Sequence, residues 1–395
     1  MNAADKYCAS FAEPDINLLP KLPVERQQYL LVIPAYKENY TFFEQLYAGL
    51  LQKESVLLVL VINQPSSEVT PNRLNHQLFE YILSKFSSVY TESNLTYGKL
   101  KNSYSSILLV NRFRRAPIDL KEGVGKARKI GNDIGLHLIR QGLIQTPVLF
   151  NTDADTRLPE NYFQAIKPSP TTSAWVYPFR HHCDNSTVGR ATHLYETRIE
   201  HFRSGLEYAG SPYAFHTIGS TLAIDPDCYA KVRGFPKRAA GEDFYLLNKL
   251  AKIFPVSSLK EPVITIEARS SDRIPFGTGP AVSRLLHSQH LEAEPIFYNP
   301  AIFEHLKGVL SSFNSLPSSL DECNISPLSQ KALRSLGIEV AFRHLTKQCK
   351  TTQQYLLHIH HWFDAFRTLK FVHYLRDNHF PNISYHQLKA ENLTK

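Results

Sequence analysis

Cysteine is scarce and scattered. The five residues Cys8, Cys183, Cys228, Cys323 and Cys349 are odd in number and form no Cys-x-x-Cys pair. That spacing speaks against a disulfide framework and a zinc knuckle, and reduced thiols in a cytosol are the expectation. Long hydrophobic runs are also missing. The longest, Val56 to Ile62, falls far short of the roughly 20 residues a spanning helix needs. The first residues lack the basic-then-apolar order of a signal peptide. A soluble, cytoplasmic protein is expected, with peripheral contact at the inner face of a membrane left open. No basic stripe interleaved with aromatics is present, so nucleic acid is not an expected partner. Internal repeats and low-complexity tracts are absent.

Hydrophobic residues make up 43% of the 395 residues and charged residues 20%, enough for a packed core. The formal net charge of +8 suits acidic ligands such as nucleotide diphosphates, although ordinary solubilising charge would look the same. Residues 1–28 are polar with scattered prolines and read as an N-terminal arm. Tyr29–Ile33, Ser55–Ile62, Ile107–Val110 and Pro147–Phe150 are short apolar runs that read as buried strands. Helical spacing over 41–53, 73–90 and 124–141 separates them. Such alternation predicts an α/β domain with a mostly parallel, Rossmann-like sheet flanked by helices. Ligands in such sheets sit beyond the C-terminal strand ends, where Pro34–Glu38, Asn63 and Asp153–Asp155 fall. Residues 187–208 and 242–252 read as helices, and Ser220–Ile224 and Val263–Ile266 as strands. From about 281 the chain reads as helices, notably 329–346 and 352–377.

Four segments carry candidate chemistry. Asp153-Ala154-Asp155 follows a buried strand, and two carboxylates at i and i+2 can meet one hard cation, Mn or Mg. A turn with helix-capping aspartates is the plain alternative. Glu242-Asp243 opens a helix, where a carboxylate can accept a proton from an attacking hydroxyl; first-turn acids also simply complement a helix dipole. Gly123 to Asp133 begins a helix bearing Lys126 and Arg128, which could face phosphates. It is neither a Walker loop, since Leu120 and Ala127 break that pattern, nor a dinucleotide fingerprint, since Arg128 replaces its last glycine. Ala268 to Gly279 surrounds Arg273 with glycines and hydroxyls, as a loop closing on a diphosphate would. Tyr208–His216 could offer aromatic faces to a sugar, though such residues are more often core. His358 to His361, and His287 with His290, invite a metal reading with weak local support.

In order and spacing, Ile33 to Glu38, Gly125 to Arg128, Asp153 to Asp155, Gly219 to Ile224 with Val232 to Phe235, and Glu242-Asp243 together resemble family 2 glycosyltransferases of the GT-A fold. The similarity covers about residues 29–280. It implies a nucleotide-binding half at 29–160, an acceptor half at 161–280, and a helical extension at 281–395. By that resemblance Asp155 is the main metal ligand and Asp153 contacts the donor ribose or the metal. Asp243 is the general base, with Glu242 orienting the acceptor or the helix start. Pro34, Ala35, Tyr36 and Glu38, with Ala154, Lys126 and Arg128, would surround the donor, and the Arg273 loop departs from the family by standing in for its pyrophosphate clamp. The reaction implied is inverting transfer of one sugar from a nucleotide-sugar, a UDP-sugar being favoured, to a carbohydrate, lipid or small-molecule acceptor. Asn63 stands where relatives carry aspartates that read the base, and the Gln-x-x-Arg-Trp motif of processive synthases is absent. Two other functions compete: a nucleotidyltransferase making a nucleotide-sugar, which would usually carry a Gly-rich N-terminal loop, and a non-catalytic binding protein of the same fold.

Overall fold

The computed structural model describes residues 2–269, 277–288 and 290–392. The chain divides into two compact units, one formed by residues 1–184 and 217–280, the other by 185–216 and 281–395. The helix Thr187–Tyr208, read from sequence as part of an acceptor half, therefore belongs with the C-terminal helices.

Among the described residues, the first unit has twelve strands: β1 Tyr29–Ala35, β2 Val56–Asn63, β3 Phe86–Glu92, β4 Leu95–Leu100, β5 Ser106–Arg112, β6 Leu149–Asn151, β7 Thr156–Arg157, β8 Ala174–Val176, β9 Phe179–His182, β10 Leu222–Ile224, β11 Val256–Ser258 and β12 Ile264–Glu267. Among the described residues, nine form one sheet in the order β11-β8-β10-β6-β1-β2-β5-β4-β3. The centre, β6-β1-β2-β5, is parallel, while β10 and β4 run antiparallel to their neighbours. All eight residues of β2 are buried, as a strand covered on both faces requires. The chain first steps outward from β1 to β2 to β5, then returns to lay β6 on the other side of β1. The sheet therefore has its topological switch point between β1 and β6, where the ends of neighbouring strands diverge and leave a crevice.

The return passes through the helix Gly123–Arg140, which packs across β1 and β2. Its approach to β1 is close. A Cβ on Gly131 would lie 2.4 Å from Val32 Cγ1, and one on Gly135 would lie 2.4 Å from Leu30 Cδ2. A larger residue at either position would have to push these core side chains aside. A small second sheet, β7-β12-β9, follows the Asp153–Asp155 turn directly, and β12 brings residues 268–269 back towards it.

The segment read as an arm is folded. Helix Ala3–Ser10 opens with a capping box between Asn2 and Asp5. The hydroxyls of Tyr7 and Tyr229 both donate to Asp133, which also pairs with Lys129 at 2.9 Å and accepts the Glu13 N–H at 2.8 Å. Asp133 is fully buried, and every contact it makes supplies a donor to its carboxylate.

In the second unit, helix Thr187–Tyr208 joins Ala301–Ser312, Pro327–Ser335, Ile338–Gln348, Thr352–Trp362 and Ala365–Asn378 around Leu206, Phe303, Leu306, Phe342, Ile359 and Phe371. Among the described residues, no helix is long and apolar enough to cross a membrane.

Candidate active site

Register places the acids. β1 and β6 pair with Leu31 opposite Phe150 and Val32 opposite Asn151, so the turn after β6 leaves the sheet level with Pro34 and Tyr36. The Thr152 N–H still donates to Val32 O at 3.1 Å, which fixes the exit of Asp153. Behind it, the side chains of Asn132 and Asn151 exchange two hydrogen bonds of 2.7 and 3.0 Å, locking the helix to the strand end. One turn earlier on that helix, Arg128 reaches the same rim.

Arg128 joins two of the sequence motifs. Its Nη2 donates to Asp153 Oδ1 at 2.6 Å and its Nε to Glu242 Oε1 at 2.9 Å. The side chains of Arg128 and Glu242 are 3% and 6% exposed. Burial alone would lower the Arg128 pKa, but Asp153 and Glu242 outweigh it and hold the pKa above its ordinary value. The remaining nitrogen, Nη1, is buried without a protein partner. Gly219 permits the arrangement, since a Cβ there would lie 2.2 Å from Arg128 Nη2. Next to Glu242, Asp243 accepts the Phe244 N–H at 2.7 Å. Burial, reinforced by the Glu242 charge and opposed by Arg128, raises its carboxyl to about 7.

The other acid of the turn has a different arginine. Arg269 Nη2 lies 2.7 Å from Asp155 Oδ2, and the same guanidinium grips Glu38 with two bonds of 2.9 and 2.8 Å. Its side chain is 35% exposed. Burial lowers and the carboxylates raise the Arg269 pKa, with a net rise. Arg269 directly follows β12 and Ala268, so the small second sheet delivers it. Arg273, chosen from the sequence of this loop, lies outside the described residues; Arg269 is the arginine that the structure places at the turn.

Other expected residues take different stations. Pro34 and Ala35 are the buried end of β1, and Ala154 is buried between the two aspartates. The Tyr36 hydroxyl donates to Glu68, whose carboxylate also pairs with Lys37 at 2.8 Å. Burial works against ionisation of Glu68, yet Lys37 and Tyr36 hold its pKa below the ordinary value. Asn63 turns its amide nitrogen to Ala35 O and Val61 O, 3.1 and 3.3 Å away, and so fastens β2 to β1. Lys126 pairs with Glu122 at 2.6 Å. It does not share the Asp153–Glu242 bridge, because it lies two residues, about 200° around the helix, from Arg128.

Tyr213 and Phe215 are buried, and His216 pairs with Glu200 at 2.9 Å, so this segment serves the core of the second unit. His287, His290 and His358–His361 belong to that unit as well. Among the described residues, no group of three or more His, Cys, Asp or Glu side chains could hold a metal ion by itself.

No protein-family model and no curated protein matches the sequence. Among solved structures, the chain is similar to the mannosyltransferase PcManGT from Pyrobaculum calidifontis, in complex with GDP-Man and Mn2+. The TM-score is 0.36 at 14% identity, over 90% of this chain and 93% of that one. GalNAc-T7 with UDP, GalNAc and Mn2+ gives 0.37 at 13%, over 90% of this chain and 58% of that one. A mycobacterial protein gives 0.34 at 10%, over 76% of each.

Proposed function

We propose that the chain is a GT-A-type glycosyltransferase that moves one sugar from a nucleotide-sugar to an acceptor hydroxyl, with inversion and with the help of a divalent cation. The observation that carries this is the single guanidinium of Arg128 bonded to both Asp153 and Glu242. It draws the Asp-x-Asp turn and the Glu-Asp helix start, about 90 residues apart in sequence, to one rim at the sheet's switch point. A donor diphosphate would sit at the turn and an acceptor against the helix start.

Asp153 and Asp155 offer hard oxygen donors of the kind Mn or Mg takes, and phosphate oxygens of the donor would complete the shell that two carboxylates leave open. A cation there would neutralise the departing diphosphate. Asp243 accepts the proton of the acceptor hydroxyl as that oxygen attacks the sugar carbon. A pKa near 7 matches this work at neutral pH, because the group is ionised yet still basic. Glu242, neutralised by Arg128, holds the helix start in place. Tyr36, Lys37 and Glu68 lie beyond the ends of β1 and β2, where the nucleoside half of the donor would sit. We favour a UDP-sugar, with residues 29–160 as the nucleotide-binding half.

A thermal-shift screen of UDP, GDP and dTDP ligands, with and without Mn, tests the proposal. A ligand that binds only the folded chain raises its melting temperature. A Mn-dependent rise with a nucleoside diphosphate, lost in Asp155→Ala, is expected. Absence of any rise would favour a non-catalytic binding protein, and release of pyrophosphate from an NTP and a sugar phosphate would favour a nucleotidyltransferase.

A further inference from the structure

The second unit carries a surface for which transfer chemistry has no use. Between Val340 and Leu375 the sequence holds five Lys or Arg residues and a single acid, Asp364. That acid is buried, and it caps helix Ala365–Asn378 by accepting the Arg367 N–H at 3.1 Å. The exposed charge along this stretch is therefore of one sign. Apolar groups stand among these cations. Leu357 is 53% exposed and Phe366 36% exposed. The Arg367 guanidinium lies 4.8 Å from the Trp362 ring centre, and Lys370 Nζ lies 4.6 Å from that of Phe366. The rings of His358 and His361 are 6.3 Å apart. Residues 357, 358, 361 and 362 share one strip of helix Thr352–Trp362 by their spacing. Arg367 of the next helix reaches the Trp362 end of it, and Phe366 with Lys370 are exposed on the first turns of that next helix.

We infer that this strip is a docking surface for an anionic lipid bilayer. Aromatic and aliphatic tips enter the headgroup region, while Arg367 and Lys370 keep their stems along the rings and their charges at phosphate level. A bilayer of negative surface charge is the occupant that satisfies both halves of the strip: an apolar partner alone would strand the cations, and a polar anion alone would leave Leu357 and Phe366 in water. The inference is independent of the proposed transfer reaction.

Flotation of the full chain with phosphatidylcholine vesicles, with and without phosphatidylserine, is the test. Binding to the phosphatidylserine vesicles alone, weakened by salt, is expected. Lys370→Glu should weaken it about tenfold or more, since two units of charge change at the surface. Phe366→Ser should weaken it severalfold, and both variants should keep the wild-type melting temperature because the two side chains are exposed. No binding to anionic vesicles at low salt, or binding that neither folded variant weakens, would overturn the inference.

Discussion

Asp153 and Asp155 stand two residues apart, yet each is held by its own arginine, and the two stations differ in character. At Asp153 the partner is Arg128, almost wholly buried, on a helix in the body of the sheet, and shared with Glu242. At Asp155 the partner is Arg269, one-third exposed, at the end of a short strand and shared with Glu38. A buried guanidinium between two carboxylates cannot be removed without leaving charge in a poor solvent. An exposed one can be exchanged for another cation. The first station builds the rim, and under the proposed function the second is the one at which a metal ion would displace the guanidinium.

The largest consequence falls at Arg128. Arg128→Ala leaves Asp153 and Glu242 unneutralised and should cost about 3–5 kcal/mol in urea unfolding. Arg269→Ala should cost about 1 kcal/mol or less by the same measurement. Equal losses would erase the distinction between the stations. Metal affinity sharpens it further. Asp155→Ala should abolish Mn binding in calorimetry with a nucleoside diphosphate present. Arg269→Ala should strengthen it by up to about fivefold, because one competing cation is gone.

A smaller effect concerns pH. The Asp243 carboxyl is raised from 3.8 to about 7, so the folded chain holds that proton more tightly than the unfolded chain does. Its ionisation therefore removes stability as pH climbs between those values, and above pH 7 the whole cost is present. Asp243→Asn should accordingly raise the melting temperature at pH 8, with the gain shrinking towards pH 4. Transfer by the wild type should rise with pH up to about 7 and level off, since only the ionised form accepts a proton.

Much of the central sheet was legible in sequence, because β1, β2, β5 and β6 are covered on both faces and so read as unbroken apolar runs. β3 and β4 were not. Phe86–Glu92 is mostly exposed and follows helix Arg73–Ser84 without an obvious break, so the helical reading of 73–90 runs through most of it. Their two-residue turn, with Ser93 at positive φ, carries no glycine to announce it. The helical reading of 352–377 divides in two, because Asp364 caps a second helix at Ala365. In the site, the acids were visible as motifs after a strand and before a helix. Their counter-ions were harder to assign. Arg128 reads from sequence as a phosphate contact because its carboxylate partners lie 25 and 114 residues away. Nothing local in the sequence singles out Arg269; it is the pairing of β12 with β7 that brings it to the turn, while Arg273 lies outside the described residues. Glu68 gave no signal of its own. Its network with Tyr36 and Lys37 exists only because β1 and β2 end side by side.

The most direct test separates donor binding from transfer in Asp243→Asn. The substitution removes the proton acceptor and leaves Asp153, Asp155 and Arg128 in place. With a donor found in the thermal-shift screen, its Mn-dependent affinity should match the wild type while turnover falls by about 10²–10⁴-fold. Turnover equal to the wild type would contradict the assignment of Asp243 as the base.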